Sequence, residues 1–148
     1  MLTSCVPATP DEDNGALLTA DDLLAFKDHP HVLVLGEMMD YQGVCSGESL
    51  IYEKLQAFSD RPIDGHAPGL SGGTLETYCL VGVQSDHECT NYQEALQKLR
   101  AGMFIHIRKG SSAKNLETIL KKAVQMQLPL HRFSFCSDDL RISDIREH

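Results

Sequence analysis

Four short polar stretches carry side chains able to ligate a metal ion and to move protons. They are Gly36-Glu37-Met38-Met39, Asp64-Gly65-His66-Ala67, Ser85-Asp86-His87-Glu88 and Ser137-Asp138-Asp139-Leu140. Glu37, His66, His87 and Asp138 are the candidate metal ligands, and Glu37 and Asp138 are also the candidate catalytic carboxylates. Two imidazoles suit a divalent transition metal, and a carboxylate adds a hard oxygen ligand or bridges two ions. Such an ion lowers the pKa of a bound water towards about 7. A neighbouring carboxylate can then carry the proton to a leaving amine. This combination is that of a metal-dependent hydrolase.

Each residue also has a plainer reading. A single His is more often a surface or core residue than a ligand. The turn residues Gly65, Pro68 and Gly69 around His66, and the recurrence of His next to Asp at His87, favour the ligand reading. Glu37 could be a surface carboxylate, but it directly follows the apolar run Val32-Leu33-Val34-Leu35-Gly36. Asp138 could cap a following helix. Asp139 competes with it, and strand geometry favours the first residue past Phe135-Cys136-Ser137. His29 and His31 flank Pro30 in a loop, His131 precedes a strand, and His106 lies within one as a packing or barrel-interior residue. The stretch Arg108-Lys109-Gly110-Ser111-Ser112 is expected to open a helix and could bind an anion, but it lacks the pattern of a P-loop.

The elements that must position these residues follow from periodicity. Apolar runs predict six strands, at residues 2–6, 32–35, 62–64, 83–85, 103–107 and 132–136. Five helical patterns alternate with them: one opening after an N-cap at Thr19, and others over 48–58, 73–80, 94–100 and 112–125. The fourth is preceded by the capping-box pattern Thr90-x-x-Gln93 and ended by Gly102. Repeated β-α units argue for a parallel sheet with helices outside. Active sites in such folds lie at the C-terminal ends of the strands. Thr9, Glu37, His66, His87, Arg108 and Asp138 are therefore expected to share one mouth.

Composition bounds the rest. The 148 residues fit one domain with 42% apolar and 23% charged side chains. With 21 acidic against 13 basic residues, the net charge is −8, which argues against nucleic acid as a partner, since phosphate neutralisation dominates that affinity. No apolar run approaches the length of a membrane span, and no basic-apolar leader opens the chain. The five cysteines are scattered and form no CxxC, so they read as reduced thiols in a cytoplasmic protein.

The residues together resemble a known family. Ser4-Cys5-Val6-Pro7-Ala8-Thr9-Pro10, Leu35-Gly36-Glu37-Met38-Met39, the run from Asp64 to Gly72, Ser85-Asp86-His87-Glu88-Cys89-Thr90, Lys98-Leu99-Arg100-Ala101-Gly102-Met103 and Phe135-Cys136-Ser137-Asp138-Asp139 are similar to bacterial adenine deaminases of the amidohydrolase superfamily. The resemblance implies hydrolytic deamination of adenine to hypoxanthine and ammonia at a binuclear Mn2+ or Fe2+ centre. It implies a partial (β/α)8 TIM barrel of about six β/α units, strands three to eight, in a single incomplete domain over residues 1–148. Glu37 would bridge the metals, His66 and His87 would hold one, and Asp138 would touch the other and handle protons. A small purine as partner, a cytoplasmic location and a homo-oligomer are also expected.

The sequence departs from the family where a His-x-His pair is usual on the first strand. Such a pair has no counterpart at a strand end here, and His29-Pro30-His31 precedes a strand. Arg108-Lys109-Gly110-Ser111 stands for Arg-Glu-Gly-Ser, Asp40-Tyr41-Gln42-Gly43 for Asn-aromatic-Pro-Gly, and Leu140-Arg141-Ile142 for Arg-His-Pro. These departures leave two alternatives: an impaired barrel piece, or an amidohydrolase acting on another purine or cyclic amide.

Overall fold

The computed structural model describes residues 1–146. Five parallel strands form one sheet: β1 (Leu35–Met38), β2 (Ile63–Gly65), β3 (Val83–Asp86), β4 (Phe104–Arg108) and β5 (Phe133–Cys136). Their spatial order is their chain order, β1-β2-β3-β4-β5, with every neighbouring pair parallel. A doubly wound sheet reverses its strand order part-way. This sheet does not, so its strand ends line one continuous edge.

Among the described residues, seven α-helices connect or flank the strands: α1 (Ala20–Lys27), α2 (Tyr41–Ser46), α3 (Ser49–Ala57), α4 (Gly72–Leu80), α5 (Tyr92–Arg100), α6 (Leu116–Gln125) and α7 (Ile142–Arg146). Helices α1 to α6 supply the layer that covers one face of the sheet, while α7 buries no residue. Leu23, Leu55, Phe58, Leu75, Tyr78, Ala95 and Ile119 meet Leu35, Ile63, Val83, Ile105 and Ile107 in a single buried core. In α6, Ile119 and Ala123 are buried and Leu116 and Leu120 pack partly against the core, the stripe predicted by periodicity. On the opposite face, Phe104 is exposed beside Val34, Gln84 and His106.

Several expectations are corrected. Residues 2–6 are not a strand. Leu2 makes a single parallel bridge to Leu35, and Pro7 soon ends any extension, so the sheet has five strands rather than six. The strand expected at 32–35 begins at Leu35 and runs on through Glu37 to Met38, because Gly36 N–H and Leu35 N–H bond Leu2 O and Pro62 O, while Val32 turns back to His29 O. The cap of α5 is Asn91, whose side chain accepts the Glu94 N–H. Thr90, the expected cap, instead donates its hydroxyl to the Glu94 carboxylate. The helix expected from Ser112 starts at Leu116, since residues 109–114 close on themselves through a Lys109–Lys114 bridge. The short α2, capped by Asp40, was not predicted. At α1 the predicted Thr19 cap is present, in a full capping box with Asp22.

A metal-type cluster at the strand ends

Glu37 lies within β1, His66 follows β2 directly, His87 follows β3 directly, Arg108 is the last residue of β4, and Asp138 lies two residues past β5. Because the strands are parallel, sequential and short, these side chains come together at the C-terminal edge. His66 Nδ1 donates to Glu37 Oε2 at 2.7 Å. His87 Nε2 approaches the same oxygen at 2.9 Å, and it lies 4.0 Å from Asp138 Oδ2. The two imidazoles meet edge to face with centroids 5.6 Å apart.

Charge balance follows from these distances. Hydrogen bonds from His66 and His87 pull the Glu37 carboxyl down to about 2. The bond to Glu37 raises His66 above the ordinary imidazole range. Burial works against the charged form of His87, yet its pairing with Asp64 and Glu37 prevails and pushes it up to about 10.

Backbone geometry holds the donors in place. Tyr78, fully buried on α4, donates its hydroxyl to Met38 O and accepts the His66 N–H at 3.1 Å, so it links the ends of β1 and β2. Ser4 and Cys5 donate to Glu37 O at 2.7 and 2.8 Å. Gly65 admits no side chain, since a Cβ there would stand 2.7 Å from Ser85 O. Gly110 likewise lets the loop after β4 press against the Asp138 backbone.

Two residues of the cluster were not singled out in the sequence. Asp64 is buried in β2 and sits 3.3 Å from His87 Nδ1, fixing the ring so that Nε2 faces the cluster. The neighbouring Asp-Gly-His spacing was the available signal. Glu88 lies 3.7 Å from His66 Nδ1 and 3.6 Å from His87 Nε2. Arg108 grips it through both nitrogens, one contact at 2.9 Å, and grips Asp138 as well. Arg108 is therefore engaged by carboxylates rather than placed to bind an anion.

Asp138 and Asp139 are separated by this geometry. Asp138 reaches Arg108 and the neighbourhood of His87, while Asp139 has a left-handed φ of 49° and no described side-chain contact. Thr9 makes no described contact with the cluster, and its carbonyl accepts the Glu12 N–H in a turn. His106 lines the cleft, bonded to Ser134 and 3.8 Å from Asp64, rather than being packed away. Met38 and Met103 belong to the core. All five cysteines are free thiols.

Glu37, His66 and His87 present one ligand atom each within 4.8 Å of one another, as do His87, Glu88 and Asp138. Imidazole nitrogen with carboxylate oxygen is a donor set that fits a divalent transition metal. The adjoining cleft, open to solvent and of ≈ 230 Å³, is bordered by Glu37, Asp64, His87, His106, Cys136 and Asp138. Among the described residues, no helix is long and apolar enough to cross a membrane.

No protein-family profile matches the sequence. The chain is 45% identical to an adenine deaminase of Desulfitobacterium hafniense over 146 residues, 99% of this chain and 26% of that protein. It is 47% identical to an adenine deaminase of Clostridium acetobutylicum over 98% of the chain and 25% of the relative. With adenine deaminase 2 of Carboxydothermus hydrogenoformans the identity is 46%, again over 98% and 25%. The chain thus spans about a quarter of the length of these relatives.

Proposed function

We propose, for a chain related along almost its whole length to adenine deaminases, that the strand-end cluster is most of the active site of a metal-dependent hydrolase. That hydrolase would convert adenine and water to hypoxanthine and ammonia. The observation that carries this reading is the convergence of Glu37, His66 and His87 within 4.8 Å at three adjacent parallel strand ends. The singly wound five-strand sheet supports an arc of a (β/α)8 barrel. In this reading residues 1–148 are one incomplete barrel domain, the barrel type and its numbering as strands three to eight being part of the proposal.

Glu37, His66 and His87 would hold the divalent cation, with Glu88, past β3, and Asp138, past β5, facing it. Mn2+ or Fe2+ is the proposed ion. Bound there, it would supply Lewis-acid activation of water and of the purine ring. The protein's own groups do the rest. Asp64 holds the His87 ring, and Tyr78 and the Ser4 and Cys5 side chains hold the backbone of Glu37 and His66. Asp138, held by Arg108 near His87 Nε2, accepts the proton lost by water as its oxygen adds to C6 of adenine. It returns that proton to the exocyclic nitrogen, the C6–N bond breaks, and ammonia leaves. His106 and Cys136 border the space for the ring.

Ammonia release tests this reading. Purified protein with Mn2+ should release ammonia from adenine, and Glu37→Gln and His87→Ala should abolish it. Release from guanine or isoguanine but not adenine would move the substrate to another purine. Activity unchanged in both variants would overturn the site.

A further inference from the structure

Behind the cluster, and outside the cleft, lies a buried charged trio that the chemistry above does not use. Lys98 on α5 is completely buried, as is Asp86 at the end of β3, and Glu94 is nearly so. The Lys98 ammonium has three donors and uses all of them: Ala67 O at 2.6 Å, Asp86 Oδ2 at 2.8 Å and Glu94 Oε1 at 2.8 Å.

The carboxylates then reach back into the loops that carry the ligands. Asp86 Oδ1 accepts the Ala67 N–H at 2.8 Å, and Oδ2 accepts the Glu88 N–H at 3.0 Å. Glu94 Oε1 accepts the Gly69 N–H at 2.8 Å, and Oε2 accepts the Thr90 N–H at 3.0 Å. Ala67 is the neighbour of His66, and Glu88 is the neighbour of His87. One ammonium and two carboxylates therefore fix the peptides beside both imidazoles to a single point on α5.

A buried ion pair is seldom worth more to stability than apolar side chains of the same size. A fully satisfied buried network does impose one geometry. We infer that Lys98, Asp86 and Glu94 are positioning residues that set the relative placement of His66 and His87 for a divalent cation. None of the three touches the ion or the substrate. The inference rests on the cation reading above.

Cobalt(II) is a suitable probe, because its visible spectrum reports the ligands and its affinity can be measured by competition with a chromophoric chelator. In the full chain, Lys98→Met and Glu94→Gln should each weaken Co2+ binding by about tenfold to a hundredfold, the usual effect of losing a partner behind a metal ligand, and should alter the spectrum. Glu94→Gln keeps an oxygen for Lys98 and Gly69 and loses only the acceptor for Thr90, so it reports even if Lys98→Met does not fold. Ile119→Val, buried in the same helical layer on α6, should lower stability and leave Co2+ affinity and spectrum as in the parent. Parent-like affinity and spectrum in folded Glu94→Gln and Lys98→Met would overturn the inference and leave the cation site standing. Absence of Co2+ binding by the parent chain would overturn both. An equal loss of affinity in Ile119→Val would show a merely structural effect and also overturn it.

Discussion

The β1–β3 half of the sheet and the β4–β5 half hold their functional residues in different ways. In the first, Glu37, His66 and His87 rest on buried partners: Tyr78, Asp64, Ser4 and the Lys98–Asp86–Glu94 trio. In the second, β5 is an edge strand with Phe135 64% exposed, α7 buries no residue, and Asp138 is held chiefly by Arg108. A metal ligand set benefits from being held before the ion arrives. A carboxylate that takes a proton from one atom and gives it to another benefits from a looser tether. Under the proposed function, the two halves would suit those two tasks.

The largest effect expected from breaking this contrast is in the rigid half. Lys98→Met leaves two buried carboxylates around a missing cation and should cost about 3–5 kcal/mol of stability, measured by denaturant unfolding. Glu94→Gln should cost less, about 1–3 kcal/mol for the Thr90 hydrogen bonds it forfeits, and should also change the acid limb. Burial pushes the Glu94 carboxyl up, but Lys98 and the Thr90 and Gly69 amides prevail and hold it below the usual carboxylate range. A carboxyl depressed in the folded state contributes stability that is present above its unfolded pKa and is lost as pH falls through the folded value. Unfolding below about pH 5 should therefore be less steep in Glu94→Gln than in the parent.

Smaller effects sharpen the comparison. Ile63→Val, in the buried β2, should cost roughly 0.5–1.5 kcal/mol. Phe135→Ala, a larger truncation on the exposed edge strand, should stay within about 0.5 kcal/mol. If the Phe135 variant proved the more destabilised, the two halves would not differ as described.

Much of this arrangement is legible in the sequence, because strand ends are where apolar runs meet Gly, Asp and His. The runs at Val83 and Phe104, the Thr19 cap and the α6 stripe all follow from local pattern. What local pattern misses depends on long-range hydrogen bonding. Leu2 looks like the start of a strand, yet it makes only one bridge, to Leu35. The start of β1 is set by bonds from Leu35 and Gly36 to Pro62 and Leu2 rather than by the valines at 32 and 34 that precede it. Asp40 and Gly43 gave no warning of α2, whose cap is a side-chain bond between them. Most telling is Glu94 with Lys98, four residues apart on a charged helix. That spacing ordinarily marks a solvated pair, and nothing in it signals that α5 turns this face inward to hold two loops. Asp64 and Glu88 were passed over for a similar reason: each adjoins a more conspicuous His.

The proposed function stands on His66 and His87, with Glu37, binding a divalent transition metal. X-ray absorption at the metal edge of the Mn2+-loaded chain measures this directly. Imidazole scattering from both histidines is expected, with its amplitude reduced in His66→Ala and again in His87→Ala. A first shell of oxygen alone, unchanged in either variant, would contradict it.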